Sequence, residues 1–380
     1  MSERLYELVT DLHAALDTAA DADSCVDSVV NLLTDNSELI RSDNDMEILC
    51  EDVLRHSCVD SISDDALAEL LCIWRGLHLT ESAEPSQLER GFVVLSLAYY
   101  LGHVYGANVF RKIGQYMDSL LIPVVSNCSR HRVHIPAVRL LYEVCLLQEL
   151  SLSELDEFSM EMIAVLLDSV EKTACSDQLE EYNFSILKLL LALNDQYMKK
   201  NHAREVIENR IIACLATRLY MGKSLGANVI FMFNRADNPR VQRLIIRFFM
   251  RMLKSDPTSG FFYTNDLKVM LDVILREARS VADENEELQQ GYLNVLPPLL
   301  HNPQIKGYKA ADVSVLLSDL RRVGSSGGAD SPRLGSPIRS ETGASSPMTG
   351  VMGTSGVRPS TRRVAERVFL ECRDVLLVQD

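Results

Sequence analysis

The sequence lacks most of the features that mark secreted, membrane-embedded or catalytic proteins. It contains no run of roughly 18 uncharged apolar residues, so no segment is expected to span a bilayer. Its start, MSERLYEL, has neither the basic residues nor the apolar core of a secretory leader. A soluble, cytoplasmic protein without membrane insertion is therefore expected. The nine cysteines are odd in number and none forms a C-x-x-C pair. Buried reduced thiols fit that pattern better than disulfides or a metal site. No G-x-x-x-x-G-K-[ST], G-x-G-x-x-G, G-x-S-x-G or H-E-x-x-H occurs, so no catalytic set, cofactor site or metal site is expected. His131 and His134 stand near Cys128, but a zinc ion would need a further ligand close by, and a solvated loop is expected there. Acidic pairs such as Asp64-Asp65 and Glu180-Glu181 open helical patterns, where the helix dipole explains them. An enzyme would instead show a deep polar cleft with strongly shifted titratable groups.

Charge of one sign is also missing locally. Residues 1–90 hold 21 Asp/Glu, 5 Arg and no Lys, whereas 196–279 hold 15 Lys/Arg against 7 Asp/Glu. An overall charge of −15 disfavours nucleic acid, because such binding depends on releasing counterions from phosphates. The acidic third and the basic block suggest opposed faces for different partners, or mutual attraction.

What is present is 47% apolar sequence with only 6% aromatics and helical spacing nearly throughout. Leu5, Leu8, Val9, Leu12 and Leu16 form one stripe; a second helix is expected to start at Ser24-Cys-Val-Asp27, which has capping-box spacing. Helices are expected near 45–57 and 64–78, then after Ser86-Gln-Leu-Glu89, where FVVLSLAYYLGHVYG reads as a buried helix rather than a strand. Further patterns lie at about 107–127, 134–149, 158–174, 178–199 and 203–221, with start signals at Ser151–Glu154 and Asp177–Glu180. Later helices are expected near 285–300, ended or kinked by Pro297-Pro298, and at 310–322.

The strongest pattern lies in 224–277. Val241, Leu244, Ile245, Phe248, Phe249, Met252 and Leu253 share one helical face, with Asn238 and Pro239 at its start. A second stripe, Leu267, Met270, Leu271, Ile274, Leu275 and Ala278, follows a connector whose Phe261-Phe262-Tyr263 should plug the junction. Helix after helix with no credible strand and no strict period predicts an all-α, armadillo/HEAT-like irregular solenoid, one elongated domain over 1–322. Residues 323–360 are Gly/Ser/Pro-rich and should be a disordered loop, in which Ser331, Ser336 and Ser346 precede proline and are candidate phosphorylation sites beside Arg333 and Arg339. A terminal helix, 361–377, should dock back on the body.

Four segments in this order carry a resemblance: LNDQY (193–197), GANVIFMFNRADNP (226–239), FFYTNDLKVMLDVILRE (261–277) and YLNVLPPLLHNP (292–303). Over roughly 180–322 the chain resembles the leucine-rich domain of the WISH/DIP/SPIN family. It is similar to the short fungal Dip/Ldb-type members, since it lacks the SH3 domain and Pro-rich tract of the animal relatives. That resemblance implies an armadillo-like fold and an activator of the Arp-two/three (actin-related protein) complex that needs no preformed mother filament. It implies unbranched filaments, contact with the pointed end through the complex, and work at endocytic, cortical actin patches. Better-known activators carry a Trp in an acidic tail; here Trp74 sits inside a helical pattern instead. The alternative is a non-catalytic armadillo-like scaffold that tethers partners without activating them.

Opposite the apolar face of 239–254 run Arg240, Arg243, Arg247 and Arg251. Such a ridge is either simply hydrated or built to grip carboxylates, for which the planar guanidinium suits better than lysine. Lys223, Arg235, Lys268, Arg276 and Arg279 extend it if the hairpins stack. Asn194, Asp195, Gln196, Asn228 and Asn234 have two readings, structural hydrogen bonding or partner contact.

Overall fold

A computed structural model of the chain describes residues 3–61, 63–129, 131–174, 179–202, 207–218, 223–280, 285–322 and 358–376. Among these every regular element is helical, as the spacing of apolar residues predicts. Ser331, Ser336, Ser346 and the Gly/Ser/Pro stretch around them lie outside the described residues. The chain forms two compact units, 1–229 and 230–380.

Unit 1 opens with α1 (Glu3–Thr18), α2 (Ala22–Asp35), α3 (Asp43–Leu54), α4 (Ser57–Ser61) and α5 (Ser63–Gly76). The start of α2 departs from expectation. Asp21, not Ser24, is the cap: its carboxylate accepts from Ser24 N at 2.8 Å while the Ser24 hydroxyl accepts from Asp21 N at 3.1 Å. The serine is the last residue of the box rather than its first. α6 (Pro85–Tyr105) is the buried helix that FVVLSLAYYLGHVYG suggested, with Phe92 through Ala98 all buried. It packs against α2, α3 and α5, and against α7 (Ala107–Gly114) and α9 (His134–Leu147). Between α7 and α9 the predicted helix 107–127 is broken by a wide turn at Met117–Leu121 before α8 (Ile122–Asn127). Pro123 cannot donate a backbone N–H, which makes the tighter ladder unavailable there.

α10 (Leu152–Asp156) starts at the Ser151–Glu154 capping box, as read from the sequence. α11 (Met160–Thr173), α12 (Glu180–His202), α13 (Arg210–Thr217) and α14 (Lys223–Arg235) follow. The stretch predicted as one helix over 203–221 is described as helix only at Arg210–Thr217, where Asn209 caps Ile212 N at 3.2 Å.

Unit 2 takes over within α14 and contains α15 (Pro239–Lys254), α16 (Thr264–Ser280), α17 (Glu286–Leu300), α18 (Ala310–Arg322), α19 (Pro359–Glu371) and α20 (Arg373–Leu376). Here α15 packs on α17, α16 on α18 and α17 on α19, besides the contacts of chain neighbours. Contact with the helix after next is how stacked helical hairpins bury a shared core. All seven stripe residues of α15 are buried. An aromatic cluster fills the junction: Phe249 meets Phe233 at 5.2 Å and Phe262 at 5.5 Å, both edge-on. Phe261 and Phe262 are the expected plug, but Tyr263 is 50% exposed and no part of it. Nor do Pro297-Pro298 end their helix, which continues to Leu300. α19 is fastened to α17 at Glu286, which accepts from the Ser360 hydroxyl, from Thr361 Oγ1 at 3.0 Å and from Arg358 Nη1 at 3.4 Å. The Ser360 hydrogen bond, then that of Thr361 and the Arg358 charge, hold this half-buried carboxyl below its usual range.

Candidate functional site

The arginine ridge forms as the spacing requires, but its members differ. Arg243 and Arg247 are half-buried and share one carboxylate on α17: Arg243 Nη1 lies 3.9 Å from Glu287 Oε2, and Arg247 Nη2 lies 3.2 Å from Glu287 Oε1. Arg240 and Arg251, at the two ends, are exposed and have no side-chain partner among the described residues. The middle of the ridge is therefore spent on the helix stack, while its ends are exposed to solvent.

The proposed extensions divide similarly. Arg276 donates to Asn234 Oδ1 at 3.1 Å and to the Asn234 carbonyl at 3.3 Å, so it caps the end of α14. Arg279 reaches the Asp312 carbonyl at 3.4 Å, and Lys268 stands 5.3 Å from the Tyr308 ring centre. Arg235 lies over the Phe231 ring at 3.9 Å. Both Arg235 and Phe231 are exposed, an apolar and cationic pair on the surface. The side chain of Lys223 lies outside the described residues, and its helix start belongs to unit 1.

Of the buried polar residues, the structure assigns clear partners. Gln196 is 1% exposed; its amide donates to the Cys145 carbonyl at 2.5 Å and the Gln148 carbonyl at 2.8 Å, and its oxygen accepts from Leu150 N at 3.1 Å. Asn194 Oδ1 accepts from Asn209 at 2.9 Å, Tyr197 donates to the Leu155 carbonyl at 3.1 Å, and Asp195 pairs with Lys199 at 3.1 Å. Asn228 donates to Asn183 Oδ1 at 3.0 Å. LNDQY is thus a staple that satisfies the carbonyls at the end of α9 and the turn after it.

His134 corrects a sequence expectation. It is fully buried rather than in a solvated loop, with Nε2 donating to the Val125 carbonyl at 3.0 Å and Nδ1 accepting from the Tyr182 hydroxyl at 2.7 Å. Burial pushes its pKa down to about 4, only partly opposed by the Val125 hydrogen bond. Among the described residues no three His, Cys, Asp or Glu groups are placed to hold a metal ion.

Unit 1 also contains the polar cleft that an enzyme would need, a cavity of about 550 Å³ between α3, α6, α9 and α12. Burial, then the neighbouring Arg139, lowers the pKa of Lys188 there, against the opposing carboxylates Glu143 and Glu181. Burial pushes Tyr99 up to about 12 and lowers His103. The hydroxyl of Ser185 is committed to the Glu181 carbonyl at 2.8 Å, and His103 Nε2 stands 3.9 Å from Glu143, beyond hydrogen-bond reach. These shifts come mainly from desolvation, and the Ser185 hydroxyl is bonded to a carbonyl rather than to a base.

The four family-like segments lie in one run of helices, and this part of the chain is similar to known proteins. Residues 179–313 match the leucine-rich domain of the SPIN90/Ldb17 family. The resemblance read from the sequence is borne out, with that domain running from the start of α12 into α18. Among curated relatives, the chain is similar to Protein dip1 of Schizosaccharomyces pombe, 29% identical over 173 residues, 45% of this chain and 46% of that one. Protein LDB17 of Saccharomyces cerevisiae is 32% identical over 185 residues, 47% of this chain and 35% of its own length. Protein LDB17 of Eremothecium gossypii is 31% identical over 132 residues, 34% of this chain and 28% of its own. The matched region thus spans less than half the length of each curated relative. Outside the leucine-rich domain, no described helix is long and apolar enough to cross a membrane, and the same holds within it.

Proposed function

We propose that this chain binds and activates the Arp-two/three complex without a preformed mother filament, seeding linear actin filaments at cortical, endocytic actin patches. The observation that carries the reading is the match of residues 179–313 to the SPIN90/Ldb17 leucine-rich domain. The helical stack supplies the physical means. A protein can shift a partner between two arrangements only by binding one of them more tightly, and a preformed surface loses little conformational entropy when it does so. A specific interface of about 1,600 Å² fits easily on one face of such a stack. Contact with the actin pointed end is then indirect, through the complex, and no step requires a cofactor, metal or catalytic group of this chain.

The free ends of the arginine ridge, Arg240 and Arg251, are the residues we assign to partner contact, with the exposed Arg235 beside Phe231 as a neighbouring anchor. Support comes from the exposure of all three and from the lack of a side-chain partner for Arg240 and Arg251 among the described residues, set against the occupied Arg243 and Arg247. The test is bulk assembly of pyrene-labelled actin with purified chain and complex and no seed filaments. The chain should shorten the lag in proportion to its concentration. Assembly no faster than with the complex alone would leave a scaffold that tethers without activating.

A further inference from the structure

We infer that the cleft of unit 1 is a docking site for an arginine side chain carried on a segment of a partner protein. Its lining brings together five carboxylates, Asp43, Glu47, Glu51, Glu143 and Glu181, against two basic side chains, Arg139 and Lys188. The lining is net negative, although much of its charge is already paired. Arg139 is engaged by Asp43 at 2.8 Å and Glu181 at 3.6 Å, and Glu51 by Arg55 at 2.8 Å. Glu47 is exposed at the rim and has no ion pair among the described residues. A concave, partly desolvated cavity with an excess of one sign focuses its field and concentrates the opposite ion.

The walls point to the kind of cation. Tyr99, Tyr100, Tyr142 and Phe184 supply ring faces, and burial holds Tyr99 and Tyr100 in their neutral phenol form. Aromatic faces beside carboxylates suit a guanidinium, which stacks on rings and accepts two carboxylate oxygens at once. The cleft already shows this in miniature: the Arg139 guanidinium sits 5.9 Å from the Tyr99 ring centre while paired to Asp43. The remaining 550 Å³ has room for a second such side chain and the backbone that carries it. Lys188, at the inner wall, disfavours a doubly basic insertion and favours one arginine per cleft.

This site lies in unit 1 and does not depend on the function proposed above. It is tested on the full chain with a fluorescein-labelled peptide Gly-Ser-Arg-Ser-Gly, read by anisotropy at two ionic strengths. Glu47→Lys reverses charge in the cleft at an exposed position, and Glu7→Lys makes the same net change on the exposed face of α1, away from it. Thermal melts establish that both variants fold. The peptide should bind, Glu47→Lys should weaken it about tenfold, and Glu7→Lys should weaken it no more than about twofold, the non-specific charge effect. A peptide with glutamate in place of arginine should not bind. No binding of the arginine peptide, equal losses in the two variants, or equal binding of the glutamate peptide would overturn the assignment.

Discussion

The two units are built from the same element and held together by different chemistry. Residues 1–229 carry 36 Asp/Glu against 18 Lys/Arg, while 230–380 carry 17 against 20. Unit 1 relies on buried polar side chains that close open backbone groups: Gln196 at the end of α9, His134 between Val125 and Tyr182, Asn194 with Asn209. Unit 2 relies on aromatic rings at its junction and on arginine–glutamate contacts along its surface. A buried polar lock is directional and costly to leave half-made, so it fixes the register of long helices. An aromatic cluster is less directional and leaves surface charge free for other uses. The acidic unit therefore presents a shaped cavity, and the basic unit presents a ridge.

That contrast can be broken by substitution. In unit 2, Phe249→Ala should give the largest loss, about 3–5 kcal/mol, because a fully buried ring contacting Phe233 and Phe262 is replaced by a cavity. Denaturant unfolding followed by circular dichroism measures it. In unit 1, Gln196→Ala should cost about 3 kcal/mol by the same measurement, since it orphans the Leu150 N–H and two carbonyls. A loss below about 1 kcal/mol would mean that water replaces the amide and that LNDQY is no lock.

Acid should act on the polar unit in particular. The folded-state pKa of His134, about 4, lies below its ordinary value of 6.5, so between those values the unfolded chain binds the extra proton. Its stabilising effect is complete above pH 6.5 and is lost as pH falls towards 4, amounting to roughly 2 kcal/mol between pH 7 and 4.5. His134→Gln should flatten the pH profile of unfolding in that window by the same amount. At the surface the effects shrink. Arg243→Glu with Arg247→Glu places new carboxylates against Glu287 and should cost about 1 kcal/mol. Arg240→Glu with Arg251→Glu should leave stability unchanged within about 0.5 kcal/mol while weakening a pull-down of the Arp-two/three complex. If instead the middle pair alone weakens the pull-down at unchanged stability, the division of the ridge into occupied and free arginines is wrong.

Much of the fold was legible because helical periodicity is local. The seven apolar residues from Val241 to Leu253 predict a buried face, and all seven are buried. The arginines opposite were placed on the correct face as well, but periodicity cannot show that Glu287, 44 residues beyond Arg243 and 40 beyond Arg247, would occupy both. Caps were less secure: Ser24 and Asp21 can each begin a box, and the backbone chooses Asp21. His134 looked like loop because its partners, Val125 and Tyr182, lie in separate segments. The cleft was invisible for the same reason. Glu47, Tyr99, Glu143 and Lys188 each read as ordinary positions on amphipathic helices, and only packing brings α3, α6, α9 and α12 around one cavity.

The proposed activity is tested most directly by single-filament fluorescence microscopy of actin with the complex and fluorophore-labelled chain, no filaments being present at the start. The account predicts unbranched filaments that appear sooner with more chain, each holding one label at its slow-growing end. Filaments that arise only as branches on older ones, or that never carry the label at an end, would contradict it.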